Sequence, residues 1–222
     1  GNVLMHGKDL VLGRKYAVQT INHRLAALKS IARLASTLEI SEVTLSEVKG
    51  LKASASRSTA GCGEEGVVKL FACAEDRFRR AKTKEDKYRT SRDAMLLTAL
   101  YYGGLRRFEL MGVQWPDGVD FVGGRLLFRG KKRDAPEWHD FTSVVLEQIR
   151  RFLKYRGDAP GPLVPGRTPE SHLEVSMVNH VIEDLADEAG VDVSPHGLRH
   201  TAATVLLEKT NGNVRAVAQF LR

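Results

Sequence analysis

The sequence predicts a mainly α-helical chain with a small antiparallel β-sheet. Two observations carry that prediction. Apolar residues recur at three- and four-residue steps in most stretches between Thr20 and Leu221, the spacing of one helix face. After Trp115-Pro116-Asp117-Gly118 that rhythm gives way to short apolar pairs separated by glycine turns, as strands require.

Residues 1 to 16, with Gly7, Gly13, Lys8, Arg14 and Lys15, read as an arm or loop. From Thr20 onward, Ile21, Leu25, Leu28, Ile31 and Leu34 mark an amphipathic helix. His23, Arg24, Lys29 and Arg33 occupy its other flanks, either following a DNA backbone or simply facing solvent. A shorter helical segment is expected from Leu45 to Leu51, entered through Thr44. Two helices make a thin core, so this module is either incomplete at its amino end or leans on something else. Small, polar, aperiodic residues over 53–64 compose a linker. The boundaries expected are 1–55 for a partial helical module, 56–64 for the linker and 65–222 for a larger domain.

In that larger domain Val67, Val68, Leu70, Phe71, Ala74 and Phe78 predict a helix that ends before a charged segment. Its cations Lys82, Lys84, Lys87 and Arg89 fit a solvated loop and DNA contact about equally. A second helix is expected from about Ser91 to Tyr102, with a broad apolar side that places Tyr101 and Tyr102 in the core. Gly103-Gly104 stops it through a residue of positive φ, and Leu105 to Met111 starts the next helix. Arg106 therefore stands at a helix N-terminus. It either forms an i,i+3 pair with Glu109 or holds a phosphate while Glu109 supports the local geometry.

Three strands are expected at Val119 to Phe121, Arg125 to Phe128 and Pro136 to Phe141. The last two flank the basic turn Arg129 to Asp134. Lys131 and Lys132 are either exposed loop charges, or one of them enters a neighbouring phosphate site as a proton donor. A helix from Thr142 to Tyr155, a surface loop over 156–170 and a helix from Val175 to Ala189 follow; the last has an acidic face of Glu183, Asp184, Asp187 and Glu188. Then comes Ser194-Pro195-His196-Gly197-Leu198-Arg199, where Ser194 reads as an N-cap and Pro195 pre-sets the first turn. His196 and Arg199 share one face near the N-terminus, where unpaired N–H groups favour an anion. A helix from Val214 to Leu221 ends the series.

The formal charge of +7 and a pI near 9.5 point to a polyanionic partner, nucleic acid first. A membrane surface is a weaker partner, because no lipidation signal and no bilayer-length apolar run are present. With two cysteines the chain carries neither a disulfide framework nor a thiolate-rich metal site. Together with the lack of a secretory pattern in the first residues, this leads us to expect a cytoplasmic protein.

Gly104-Leu105-Arg106 followed by Glu109-Leu110 resembles the first arginine motif of the tyrosine recombinases, also called phage-type integrases. Trp115-Pro116-Asp117 is similar to that family's Trp-x-Asp continuation, Arg129-Gly130-Lys131 to its hairpin lysine, and Pro195 to Thr204 to its His-x-x-Arg box. The resemblance covers about Glu65 to Arg222, and Thr20 to Leu51 is similar to the closing helices of the family's core-binding domain.

The resemblance implies cleavage of double-stranded DNA by a tyrosine, through a 3′-phosphotyrosyl link and a free 5′-hydroxyl, then rejoining. Arg106 and Arg199 would clamp the non-bridging oxygens, Lys131 would protonate the leaving 5′ oxygen, and His196 would assist proton transfer. Glu109 and His200 would support the site, His200 turned partly toward the core or a neighbouring loop. Neither metal nor small-molecule cofactor is implied, and self-association on paired DNA sites is.

Three departures are visible. The hairpin is shorter after Gly130-Lys131 than the family pattern, which leaves Lys132 as a substitute for Lys131. Arg107 and Phe108 stand where smaller or less charged residues are usual. The family's nucleophilic tyrosine follows the His-x-x-Arg box, whereas Tyr16, Tyr88, Tyr101, Tyr102 and Tyr155 all precede Arg199. The 222 residues are therefore expected to bind DNA without forming the covalent intermediate. The alternative is an accessory or regulatory DNA-binding protein that keeps the fold. A general phosphoryl-transfer enzyme fits less well, for want of a glycine-rich nucleotide loop or a carboxylate metal cluster.

Overall fold

The computed structural model describes residues 16, 18–52, 61–130 and 134–221. The chain divides into two compact units, Gly1–Arg57 and Ser58–Arg222.

The first unit is built on α1 (Val18–Thr37). Ile21 and Leu25 are half-buried, while Leu28, Ile31 and Leu34 on the same stripe stay exposed. The helix expected over Leu45 to Leu51 does not form; only a turn interrupts an irregular segment there. The Asn22 side chain supplies the reason. Its amide donates to the Leu51 carbonyl at 2.9 Å and its oxygen accepts the Leu51 N–H at 2.8 Å. Leu51 thus finds on α1 the partners that a helix would have supplied.

The second unit is centred on α3 (Lys84–Tyr101). Met95, Leu96, Leu97, Ala99 and Leu100 are all buried, so this helix is apolar nearly all round and must be enclosed. It packs against α2 (Gly63–Arg80), α5 (Ser143–Arg156), α6 (Val175–Ala189) and α7 (Pro195–Lys209). The five-residue α4 (Arg107–Met111) follows it, and α8 (Val214–Leu221) lies against α7. A three-stranded antiparallel sheet has the order β2 (Val119–Asp120), β3 (Arg125–Phe128), β4 (Glu137–Asp140). Leu126 and Phe128 point into the core, while Arg125 lies on the opposite, exposed face. A second ladder joins β1 (Gln114–Trp115) to β5 (Gly161–Pro162).

Several boundaries differ from the expectation, each for a local reason. Helix α2 begins at Gly63, within the stretch assigned to the linker. Lys84 to Arg89 are not a loop but the first turns of α3. Thr83 accepts the Asp86 N–H at 3.0 Å and Asp86 returns a bond to the Thr83 amide, a reciprocal cap that starts the helix inside the charged run. Residues 156–170 are only partly a surface loop, because Leu163 and Val164 are fully buried. Arg156 holds that segment by donating to the carbonyls of Gly157, Ala159, Pro162 and Leu163. Val68 and Val144 face solvent instead of the core.

Candidate nucleic-acid site

Helix α3 ends at Gly103-Gly104, where Gly104 takes φ +57°. A Cβ there would meet the Phe220 ring at 2.7 Å, so both the backbone and the docked α8 exclude a side chain. Leu105 is buried, and Arg106 is the extended N-cap residue of α4. Glu109, only 1% exposed at its side chain, accepts the Arg106 amide at 2.7 Å and the Arg106 Nη1 at 2.8 Å. A buried carboxylate needs such partners, and this one satisfies the cap and orients the guanidinium together. The local i,i+3 pairing of Arg106 with Glu109 is thus formed.

The second half of the site comes from α7. Ser194 accepts the Gly197 N–H at 3.1 Å as N-cap, and Pro195 occupies the first turn. His196 is exposed beside that turn. Arg199, one turn on, is buried and donates to the carbonyls of Gly104 and Leu221. The Gly104 bond spans 95 residues and brings Arg199 to the segment whose third residue is Arg106. Thr201 ties the same helix to the start of α2: its hydroxyl donates to the Gly197 carbonyl at 2.9 Å and accepts the Cys62 N–H at 3.0 Å. Burial raises the Cys62 thiol pKa.

The expectation for His200 needs correction. It is exposed, not turned to the core. The buried line of α7 runs through Leu198, Thr201, Ala202 and Val205, which leaves His196, His200, Thr204 and Glu208 about one turn apart on the outer side. Lys131 and Lys132 lie outside the described residues; the hairpin that carries them leaves β3 at Phe128 and re-enters β4 at Glu137.

The basic corner assigned to DNA is not brought to this place. Lys82, Lys84, Lys87 and Arg89 lie at the opposite end of α3 from Gly103, a helix length of about 25 Å away. Lys87 folds onto α2, donating to the Phe78 carbonyl at 2.6 Å with its ammonium 4.0 Å from the Phe78 ring centre. Arg89 pairs with Glu85 at 3.0 Å, and Lys82 and Lys84 remain exposed. In the first unit Arg24 covers the Tyr16 ring at 4.0 Å, and Lys29 lines a shallow groove with Arg33, Thr37 and Thr44.

Tyr101 is buried, and burial raises its pKa. Tyr102, assigned to the core with it, is 43% exposed and rests its ring against Phe71. One contact has no sequence signal at all: Arg107 donates to the Asn179 side chain of α6, 72 residues away. Among the described residues there is no cluster of three or more metal-ligating side chains, and no helix is long and apolar enough to cross a membrane.

A sequence profile described as the Phage integrase family matches residues 73–222. Tyrosine recombinase slr0733 of Synechocystis sp. is 29% identical over 227 residues, covering 99% of this chain and 69% of that protein. Tyrosine recombinase XerA of Thermococcus onnurineus is 33% identical over 133 residues, which cover 59% of this chain and 46% of its own. Two solved structures share the fold. Lambda Integrase bound to DNA gives a TM-score of 0.63 at 18% identity, over 92% of this chain and 70% of that one. XerH recombinase bound to a palindromic difH substrate after cleavage gives 0.62 at 17% identity, over 93% and 65%.

Proposed function

Because the chain belongs to the phage integrase family, we propose that it binds double-stranded DNA and serves site-specific recombination, with Arg106 and Arg199 grasping one phosphate. The observation that carries this reading is the bond from Arg199 to the Gly104 carbonyl, which unites two arginine segments far apart in the chain. A planar guanidinium offers paired N–H donors to phosphate oxygens, and two of them offset the charge that grows as a phosphodiester is attacked. Glu109 fixes Arg106 from beneath, so its geometry is set before DNA arrives. His196, exposed at the first turn of α7, has the role of exchanging a proton with the phosphate or its attacker in this reading. Lys131, or Lys132 in its place, supplies the proton that the departing 5′ oxygen needs, and His200 has a lesser supporting part. Self-association on paired DNA sites and action in the cytoplasm belong to the same reading.

A duplex-binding titration over a range of salt concentrations tests it. The logarithm of affinity should fall linearly with the logarithm of salt, and Arg106→Ala should reduce that slope by about one. Binding that ignores salt, or a slope that Arg106→Ala leaves unchanged, would overturn the assignment. A nicked suicide duplex examines the chemistry. Tyr101 is buried and Tyr88 is half-buried, so neither ring is free to reach a phosphodiester and neither should become linked to DNA. An adduct mapped to either ring contradicts this.

A further inference from the structure

Helix α4 carries Arg106 at its N-cap, yet it is five residues long. A helix of that length does not hold itself in water, because one or two turns cannot repay the cost of nucleation. Its inner side is secured by buried Leu110 and Met111, and its first turn by Glu109. Phe108 is 42% exposed and adds little. A further hold is Arg107, which reaches across to Asn179 on α6. Adjacent arginines thus diverge: Arg106 turns to Glu109, and Arg107 turns to a neighbouring helix.

We propose that Arg107 and Asn179 form a positioning pair for Arg106. By tying α4 to α6 they fix where the N-cap guanidinium is presented. The inference rests on the reading that Arg106 holds a DNA phosphate. An amide oxygen accepts from guanidinium without adding a second negative charge beside the site, so the tie does not compete with phosphate for Arg106.

Two measurements on the 222-residue chain decide it, using Asn179→Ala, Arg107→Ala and the conservative Asn179→Asp. Hydrogen exchange reads the tie without DNA. The amides of Glu109, Leu110 and Gly112, which bond within α4, should exchange about fivefold faster in Asn179→Ala, while those of α3 and α5 keep the parent rate. Asn179→Asp, which keeps an acceptor, should restore them. Duplex affinity reads the consequence. Asn179→Ala should weaken binding about threefold to tenfold in the parent and have no effect in an Arg106→Ala background.

Unchanged exchange in α4 overturns the tie. An equal loss of affinity with and without Arg106 overturns its action through that residue. A salt slope reduced by Arg107→Ala but not by Asn179→Ala would make Arg107 itself a phosphate contact and overturn the proposal. Should the parent bind no duplex, the DNA reading fails and with it the positioning role. Exchange then still reports separately whether the tie exists.

Discussion

Glu109 shows how much one side chain can organise. Its two oxygens serve different masters, the Arg106 amide and the Arg106 guanidinium, from a place closed to water. Glu109→Gln keeps an oxygen for the amide but sets an NH2 group against the guanidinium. The expected loss is about 1–3 kcal/mol of stability, measured by urea unfolding, because a charged hydrogen bond is exchanged for a donor facing a donor. No loss would mean that Arg106 finds another partner. This pair was legible in the sequence, since three-residue spacing at a helix start puts the two side chains within reach. The Arg107–Asn179 and Cys62–Thr201 contacts were not, because their partners are 72 and 139 residues apart and no local rule links them.

At the scale of elements, the turn between α3 and α4 leaves room for the Phe220 ring of α8. Gly104→Ala must strain a backbone at φ +57° and push against the Phe220 ring. We expect about 1–3 kcal/mol of destabilisation and faster amide exchange in α8, and parent-like exchange there would show that the ring moves aside. The helices read best from sequence were those with one apolar stripe and clear stops; Val175–Ala189 has the expected bounds. Apolar spacing alone starts α3 late, because its first turns carry lysine and arginine; the Thr83–Asp86 cap is the sequence signal for its true start. The β1–β5 ladder could not be foreseen, since two-residue strands show no alternation. The Leu45 to Leu51 segment has helical spacing, but the Asn22 side chain claims its last backbone groups.

Across the whole molecule, the net charge of +7 says little about where individual cations are placed. Part of the positive charge is taken up by pairs within the fold: Arg77 bonds Glu188, Arg92 bonds Asp93, and Arg151 bonds Glu75. Asp93 lies where α2, α3 and α6 meet, near Arg77 and Asp184 as well as Arg92. Burial raises its pKa, with the Arg92 guanidinium opposing in part. A carboxyl raised in the folded state stabilises the fold when protonated. That contribution is complete below the ordinary carboxylate pKa and is lost as pH rises through the raised value. Between about pH 7 and about pH 4 the stability of the parent relative to Asp93→Asn should therefore shift in the parent's favour. Chemical denaturation at each pH checks it, and a flat difference would show that Asp93 titrates as it does in the unfolded chain.

The bond from Arg199 to Gly104 also sets when the two arginine segments can meet. On the ribosome Arg106 emerges far ahead of α7, and synthesis proceeds at about 5–20 residues per second, so several seconds separate the two. Through that interval a nascent chain carries Gly104 and Arg106 without the Arg199 side chain that the fold later bonds to the Gly104 carbonyl. The join between the two segments therefore forms only after most of these 222 residues have been translated.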